Sequence, residues 1–308
     1  MYGKTIRKIR QNKGLTLKEI YLGIVSKSFY IEFEKGNYNI EARKFEYILN
    51  RLSLTFQEFQ FIHNDYQMNE FKNLNDQIEF HYSTWDLISL SNIYHTYKNS
   101  SYSRERYAAS RAYALIYITE DNSDFMSKAP LNELKAYLTS LKEWSLEDIQ
   151  NYVSIASAFD FATTKYFFQL AIDSLKKYEE FDRDTYNNLC KDLYMGQIQA
   201  SLIHQEVNGA IKLLKQMKQK LTNGTTFGIN VYIKCCEILI SYYKKSFSSL
   251  DSEEFLEALD ITDFEGKAQI QALLKTHEYY SQNLETHSLY NSSDYYSSYK
   301  NARIYREK

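Results

Sequence analysis

The sequence has 308 residues, 44% hydrophobic and 25% charged, with 37 Lys and Arg set against 39 Asp and Glu. That is a globular composition, long enough for about two domains, and it excludes collagen-like, disulfide-stapled and wholly disordered classes. One Pro and nine Gly are too few for the turns of an all-β chain or the strand–helix junctions of an α/β fold, so the expected class is all-α.

Charge divides unevenly along the chain. Residues 1–60 carry eleven Lys and Arg against six Asp and Glu, a net of +5, and the remainder carries a net of −7. A small basic head on a large acidic body points the head, and not the body, at a polyanion. The opening residues MYGKTIRKIRQNKG lack the apolar core of a signal peptide, and no apolar run approaches the ~20 residues that cross a bilayer. A cytoplasmic protein without membrane contact is expected. Cys190, Cys235 and Cys236 have no zinc spacing and read as small core hydrophobes.

In the head, a first helix is expected from Lys4 to Lys13, stopped by Gly14. Thr16 and Glu19 form a capping box that starts a second helix at Leu17. Ser26 can cap a third, running through about Glu34 and ended by Gly36. A fourth spans Glu41 to Leu52 with Phe45, Ile48, Leu49 and Leu52 as its apolar stripe, and a fifth carries Phe56, Phe59 and Ile62. Five short helices with a tight turn between the second and third describe a repressor-type helix-turn-helix domain over residues 1–64.

On such a third helix Tyr30 and Phe33 face the core, while Lys27, Ser28, Phe29 and Glu32 face the major groove of a double-stranded DNA operator, with Ser26 and Lys35 at its ends. Phe29 offers only apolar contact, for example to a thymine methyl, and Glu32 can accept from a cytosine amine while repelling phosphate. The helix from Lys27 to Lys35 is neutral overall, so phosphate attraction falls to Arg7, Arg10, Lys13, Lys18 and the Arg43/Lys44 pair.

The string Ile24-Val-Ser-Lys-Ser-Phe-Tyr-Ile-Glu-Phe-Glu-Lys-Gly36, then Asn39-Ile40 and Leu52-Ser-Leu-Thr-Phe-Gln-Glu-Phe59, resembles the Rgg/MutR and PrgX group of peptide-pheromone-responsive transcription regulators of Gram-positive bacteria. The resemblance covers about 60 residues. It implies a helical-repeat, peptide-binding domain after the head, and it departs from the group at Phe29 and Glu32, where relatives carry an amide and a basic or small polar residue.

Over residues 65–308, helix-length apolar periodicities alternate with short polar breaks, near 67–80, 83–98, 103–119, 131–142, 146–159, 161–178, 183–204, 207–221, 226–246, 252–259, 265–283 and 287–304. Phe161, Val207 and Ser252 open equivalent helices about 45 residues apart, longer than the usual tetratricopeptide period. The expected body is therefore a degenerate tetratricopeptide-like repeat domain serving peptide binding and dimerisation. Asn151, then Asn187 or Asn188, then Asn230 fall on successive first helices, where amides could ladder the backbone of an extended peptide. Tyr152, Tyr186, Phe227 and Tyr232 would pocket its apolar side chains. The Tyr- and Ser-rich tail from Ser288 reads as the solvated cap of the last repeat or, as the resemblance to PrgX-type relatives implies, as a segment that rearranges when peptide binds.

The six histidines show no metal spacing, and no Walker loop, G-x-S-x-G or G-x-G-x-x-G is present. The sequence thus predicts a homodimeric, DNA-binding regulator controlled by a short apolar signalling peptide, with no cofactor, no metal and no enzymatic activity. The alternative is a helical-repeat adaptor with a vestigial helix-turn-helix head.

Overall fold

The structure is a computed structural model that describes residues 1–67, 73–119, 126–221, 227–246, 249–262 and 264–282. Among these residues there are α-helices, two one-turn 3-10 segments and no strand. The chain separates into two compact units that divide between Gln77 and Ile78.

The first unit is built by its caps. Helix α1 (Tyr2–Asn12) leads into α2 (Leu17–Tyr21), whose N-cap Thr16 accepts from the Glu19 amide while the Glu19 carboxylate accepts from the Thr16 amide. Ser26 Oγ accepts from the Phe29 amide to start α3 (Lys27–Lys35), and Gly36 ends it at φ 91°, where a side chain would be strained. Helices α4 (Ala42–Arg51) and α5 (Phe56–His63) close the unit, α5 capped by Thr55. Ile6, Ile20, Tyr30, Phe33, Ile48, Leu52 and Phe59 form its core, each at most 2% exposed. Gly3 lets α1 approach α3, because a Cβ there would fall 1.7 Å from the Phe33 carbonyl oxygen.

In the second unit, α6 (Leu74–Ser83) straddles the division, and the left-handed Trp85 (φ 58°) breaks the chain before α7 (Leu87–Tyr97). The sequence pattern carries one helix through 83–98. Asp86 explains the break, since its side chain caps α7 by accepting from the Ser89 amide. Then follow α8 (Ser103–Thr119), α9 (Ala129–Ser140) with the single Pro130 in its first turn, and α10 (Leu146–Ile155) with a Ser145/Asp148 capping box. Helices α11 (Phe161–Leu175), α12 (Arg183–Ile203), α13 (Val207–Leu221), α14 (Phe227–Tyr243), α15 (Ser249–Thr262) and α16 (Phe264–Gln282) complete the described chain. The expected last helix and the tail from Ser288 lie outside the described residues.

The neighbouring pairs α7/α8, α8/α9, α11/α12, α12/α13 and α15/α16 pack as hairpins, and α8, α10, α12, α14 and α16 also pack on one another in succession, so this set of alternate helices forms one layer. A stack of helical hairpins is the repeat architecture that the apolar periodicity predicts. Cys190, Cys235 and Cys236 are buried free thiols within it.

His277 on α16 is fully buried. Its Nδ1 lies 3.1 Å from the Tyr243 hydroxyl and its Nε2 has no hydrogen-bond partner. Burial pulls the imidazole down to about 3, so it stays neutral when folded. The unfolded chain takes up that proton near pH 6.5, so stability falls as pH drops below 6.5, by about 2–3 kcal/mol at pH 4.5. Urea unfolding of wild type and His277→Leu across pH 7 to 4.5 should show wild type losing ground to the variant by that amount. Parallel curves would mean that His277 carries its proton in the folded chain.

Candidate functional site

The head presents α3 behind the turn that follows α2. Lys27 and Ser28, in its first turn, are exposed, as are Arg7, Lys18 and Arg43, the last with its guanidinium 6.0 Å from the Tyr47 ring centroid. Ser26 is committed to its capping bond. Phe29 is half-buried and stacks on the exposed Tyr38, with ring centroids 5.6 Å apart and planes within 10°. Glu32 accepts from Lys35 Nζ at 2.7 Å and from Asn37 Nδ2 at 2.6 Å, and these donors hold its carboxyl below the ordinary range. Lys35 is therefore occupied by Glu32, and the pair cancels on the surface that the sequence assigns to base reading. What is left toward solvent is cationic and small at the start of α3, and aromatic beside it.

Arg10 departs from its expected role. Its side chain is 10% exposed, Nε and Nη2 donate to the two Glu34 carboxylate oxygens at 2.6 and 2.9 Å, and Nη1 donates to the Leu15 carbonyl at 2.8 Å. A guanidinium bound on all sides ties α1 to α3 and cannot also bond phosphate. Lys13, though exposed, donates to the Leu52 carbonyl at 2.7 Å, and Lys44 pairs with Glu41.

In the second unit a cavity of about 700 Å³ opens among α9, α10, α11 and α12, with Tyr82, Tyr117 and Tyr232 also on its wall. Of the expected peptide-binding set Tyr152 and Tyr232 line it and Tyr186 does not, Tyr152 being nearly buried and donating its hydroxyl to the Thr164 carbonyl at 3.1 Å. Asn151 and Asn187 are buried away from the cavity, and Asn188 and Asn230 are exposed elsewhere. The side chain of Phe227 lies outside the described residues. The structure does not bring these asparagines together at the cavity, because a spacing good to several residues leaves the rotational phase of each helix undetermined, at 100° per residue.

Amides do line the cavity, at other positions. Gln197 and Gln199, 3% and 2% exposed, sit in the second half of α12 with their Oε1 atoms buried and unpartnered. Ser157, in the 3-10 turn after α10, adds a buried hydroxyl without a partner. Each such atom has given up water without gaining a bond, which costs about 1–3 kcal/mol. The signal was present in Gln197-Ile-Gln199, two polar residues in the otherwise apolar Met195–Ala200 stretch. Lys191 touches two residues of the wall, its ammonium 3.2 Å from Asp192 and 4.4 Å from the Tyr232 ring centroid. Among the described residues no cluster of His, Cys, Asp and Glu is placed to hold a metal ion, and no helix is long and apolar enough to cross a membrane.

Beneath the cavity wall, Arg111 on α8 is fully buried and bonds both Glu79 on α6 and the Oγ of Ser154 (3.2 Å), a cavity-lining residue.

Comparison with known proteins places this geometry. Residues 87–272 match the model of the C-terminal domain of the HTH-type transcriptional regulator Rgg. A candidate transcriptional regulator from Listeria monocytogenes EGD-e shares the fold at TM-score 0.75 and 23% identity, over 92% of this chain and 98% of that one. The Streptococcus dysgalactiae SHP pheromone receptor Rgg2 does so at TM-score 0.67 and 19% identity, over 92% and 100%. PrgX, in its complex with cCF10, does so at TM-score 0.65 and 14% identity, over 91% and 92%.

Proposed function

The chain belongs to the Rgg family of helix-turn-helix-type transcriptional regulators, and on that premise we propose that it binds operator DNA through its first unit under the control of a short peptide held in the second. Family membership makes it a regulator of transcription and not an enzyme. The peptide reading is carried by one observation: a 700 Å³ cavity walled by tyrosines and phenylalanines, with the amide-bearing Gln197 and Gln199 among its lining residues. An extended peptide brings apolar side chains that such aromatic walls pocket and a backbone whose polar groups side-chain amides can bond. The relatives support the reading, since Rgg2 is described as a pheromone receptor and PrgX was solved with cCF10.

On the DNA side, α3 enters the major groove with Lys27 and Ser28 leading, while Arg7, Lys18 and Arg43 meet phosphates. Two copies, as a homodimer in the cytoplasm, read two half-sites about one DNA turn apart. Peptide binding shifts the population between pairings of the two heads, only one of which fits the operator.

The test is selection of DNA from a random duplex pool by the purified full chain, then salt titration of the selected duplex. Wild type should bind saturably, with affinity falling steeply as salt rises. Arg43→Ala should weaken every sequence alike and make the slope shallower by about 0.9, the loss of one phosphate contact. Lys27→Ala should instead change which sequences are selected. Recovery of no duplex at about 50 mM salt, with and without a pooled peptide library, would overturn the DNA reading in favour of an interaction adaptor.

A further inference from the structure

Gly196 lies in the interior of the 21-residue α12, where a glycine weakens a helix because it has more freedom to lose on folding. The protein's own packing does not demand it. A Cβ built at Gly196 meets no atom within 4 Å, whereas one built at Gly3 would strike a carbonyl oxygen. Nor does the backbone demand it, for Gly196 is not among the glycines of positive φ. The space above its Cα is instead the cavity, whose wall Gly196 shares with the flanking Met195 and Gln197.

The bare Cα of Gly196 thus weakens the free helix without serving the fold, and one event makes sense of it: a chain lying close over α12 in the cavity. A Cβ at position 196 would hold that chain off by roughly a methyl radius.

We propose that Gly196 is the floor of the peptide site and sets its specificity. A segment of the bound peptide passes directly over its Cα and carries a small side chain, Gly, Ala or Ser, at the point of closest approach. This rests on the peptide reading of the cavity and adds to it which residue admits the ligand and what the ligand must present there.

The experiment selects short random peptides from a display library on the immobilised full-length chain and measures the recovered peptides, made synthetically, against wild type and Gly196→Ala. The expected signature has opposite signs. Gly196→Ala raises the melting temperature by about 2 °C, because alanine favours the helix. It weakens the recovered peptides about ten-fold, the cost of one methyl group in a fitted contact. The peptides should share a small residue at one position, and enlarging that residue to Leu should abolish binding to both proteins. Peptides that bind Gly196→Ala as tightly as wild type, or a melting temperature that falls, would overturn the role of Gly196 while leaving the peptide reading in place. A library that yields no peptide for wild type would overturn both.

Discussion

Arg10→Ala should lower the stability of the first unit by about 3–5 kcal/mol, the loss seen when one partner of a buried, hydrogen-bonded ion pair is removed. The variant deletes three donors at once and leaves the Glu34 carboxylate, 4% exposed, without the guanidinium that neutralises it. A folded unit of fewer than 80 residues has a stability of this same order, so the head should be largely unfolded at ordinary temperature. DNA binding should then vanish at every salt concentration, in contrast to the shallower slope of Arg43→Ala. Urea unfolding followed by far-UV circular dichroism reads the effect directly. Glu34→Ala should behave alike, and the double replacement Arg10→Met with Glu34→Leu should recover most of the loss, since the cost lies in the orphaned charge. A first unit that unfolds at the wild-type urea concentration in Arg10→Ala would refute the structural role and return Arg10 to the phosphate contacts.

The same residue shows where the sequence is legible. Thr16 with Glu19, Ser26 with the Phe29 amide and Gly36 at the end of α3 were all readable, because a cap is decided within three or four residues. So were the alternation of helices and the core stripe on α4, which depend on period alone. The fate of Arg10 depends on Glu34, 24 positions away, and nothing local distinguishes it from the exposed Arg7 one turn earlier. The cavity repeats the lesson on a larger scale. That α10, α12 and α14 would share a layer follows from the pattern, yet which polar side chains that layer turns into the cavity depends on helix rotation. Gln197 and Gln199 replace Asn187 on the same helix for that reason. The turn at Trp85 escaped because a left-handed tryptophan has no sequence signature of its own.

Arg111 supports the second large prediction, and its sign is the reverse of the first. It is fully buried in α8, donates to Glu79 and to Ser154, and leaves its Nε and Nη1 protons with no acceptor. Burial pulls the guanidinium down to about 10, the mark of a charge that is poorly compensated. Arg10, saturated by Glu34, is shifted the other way. Arg111→Met, which fills the same volume without a charge, should therefore stabilise the second unit by about 1–4 kcal/mol. Glu79→Ala should destabilise it by about 1–3 kcal/mol, less than a wholly buried partner would cost because the Glu79 side chain is 55% exposed and water takes part of its place. Thermal unfolding of the two variants beside wild type decides the matter, and a lower melting temperature in Arg111→Met would show that the guanidinium contributes net stability as it stands. A higher one leaves the charge without a structural reason, and its contact then becomes the reason: Ser154 lines the cavity, and Glu79 sits on α6, the helix that spans the division between the two units. Under the proposed peptide control, replacing this buried cation with methionine should leave a more stable protein whose DNA binding no longer changes when peptide is added.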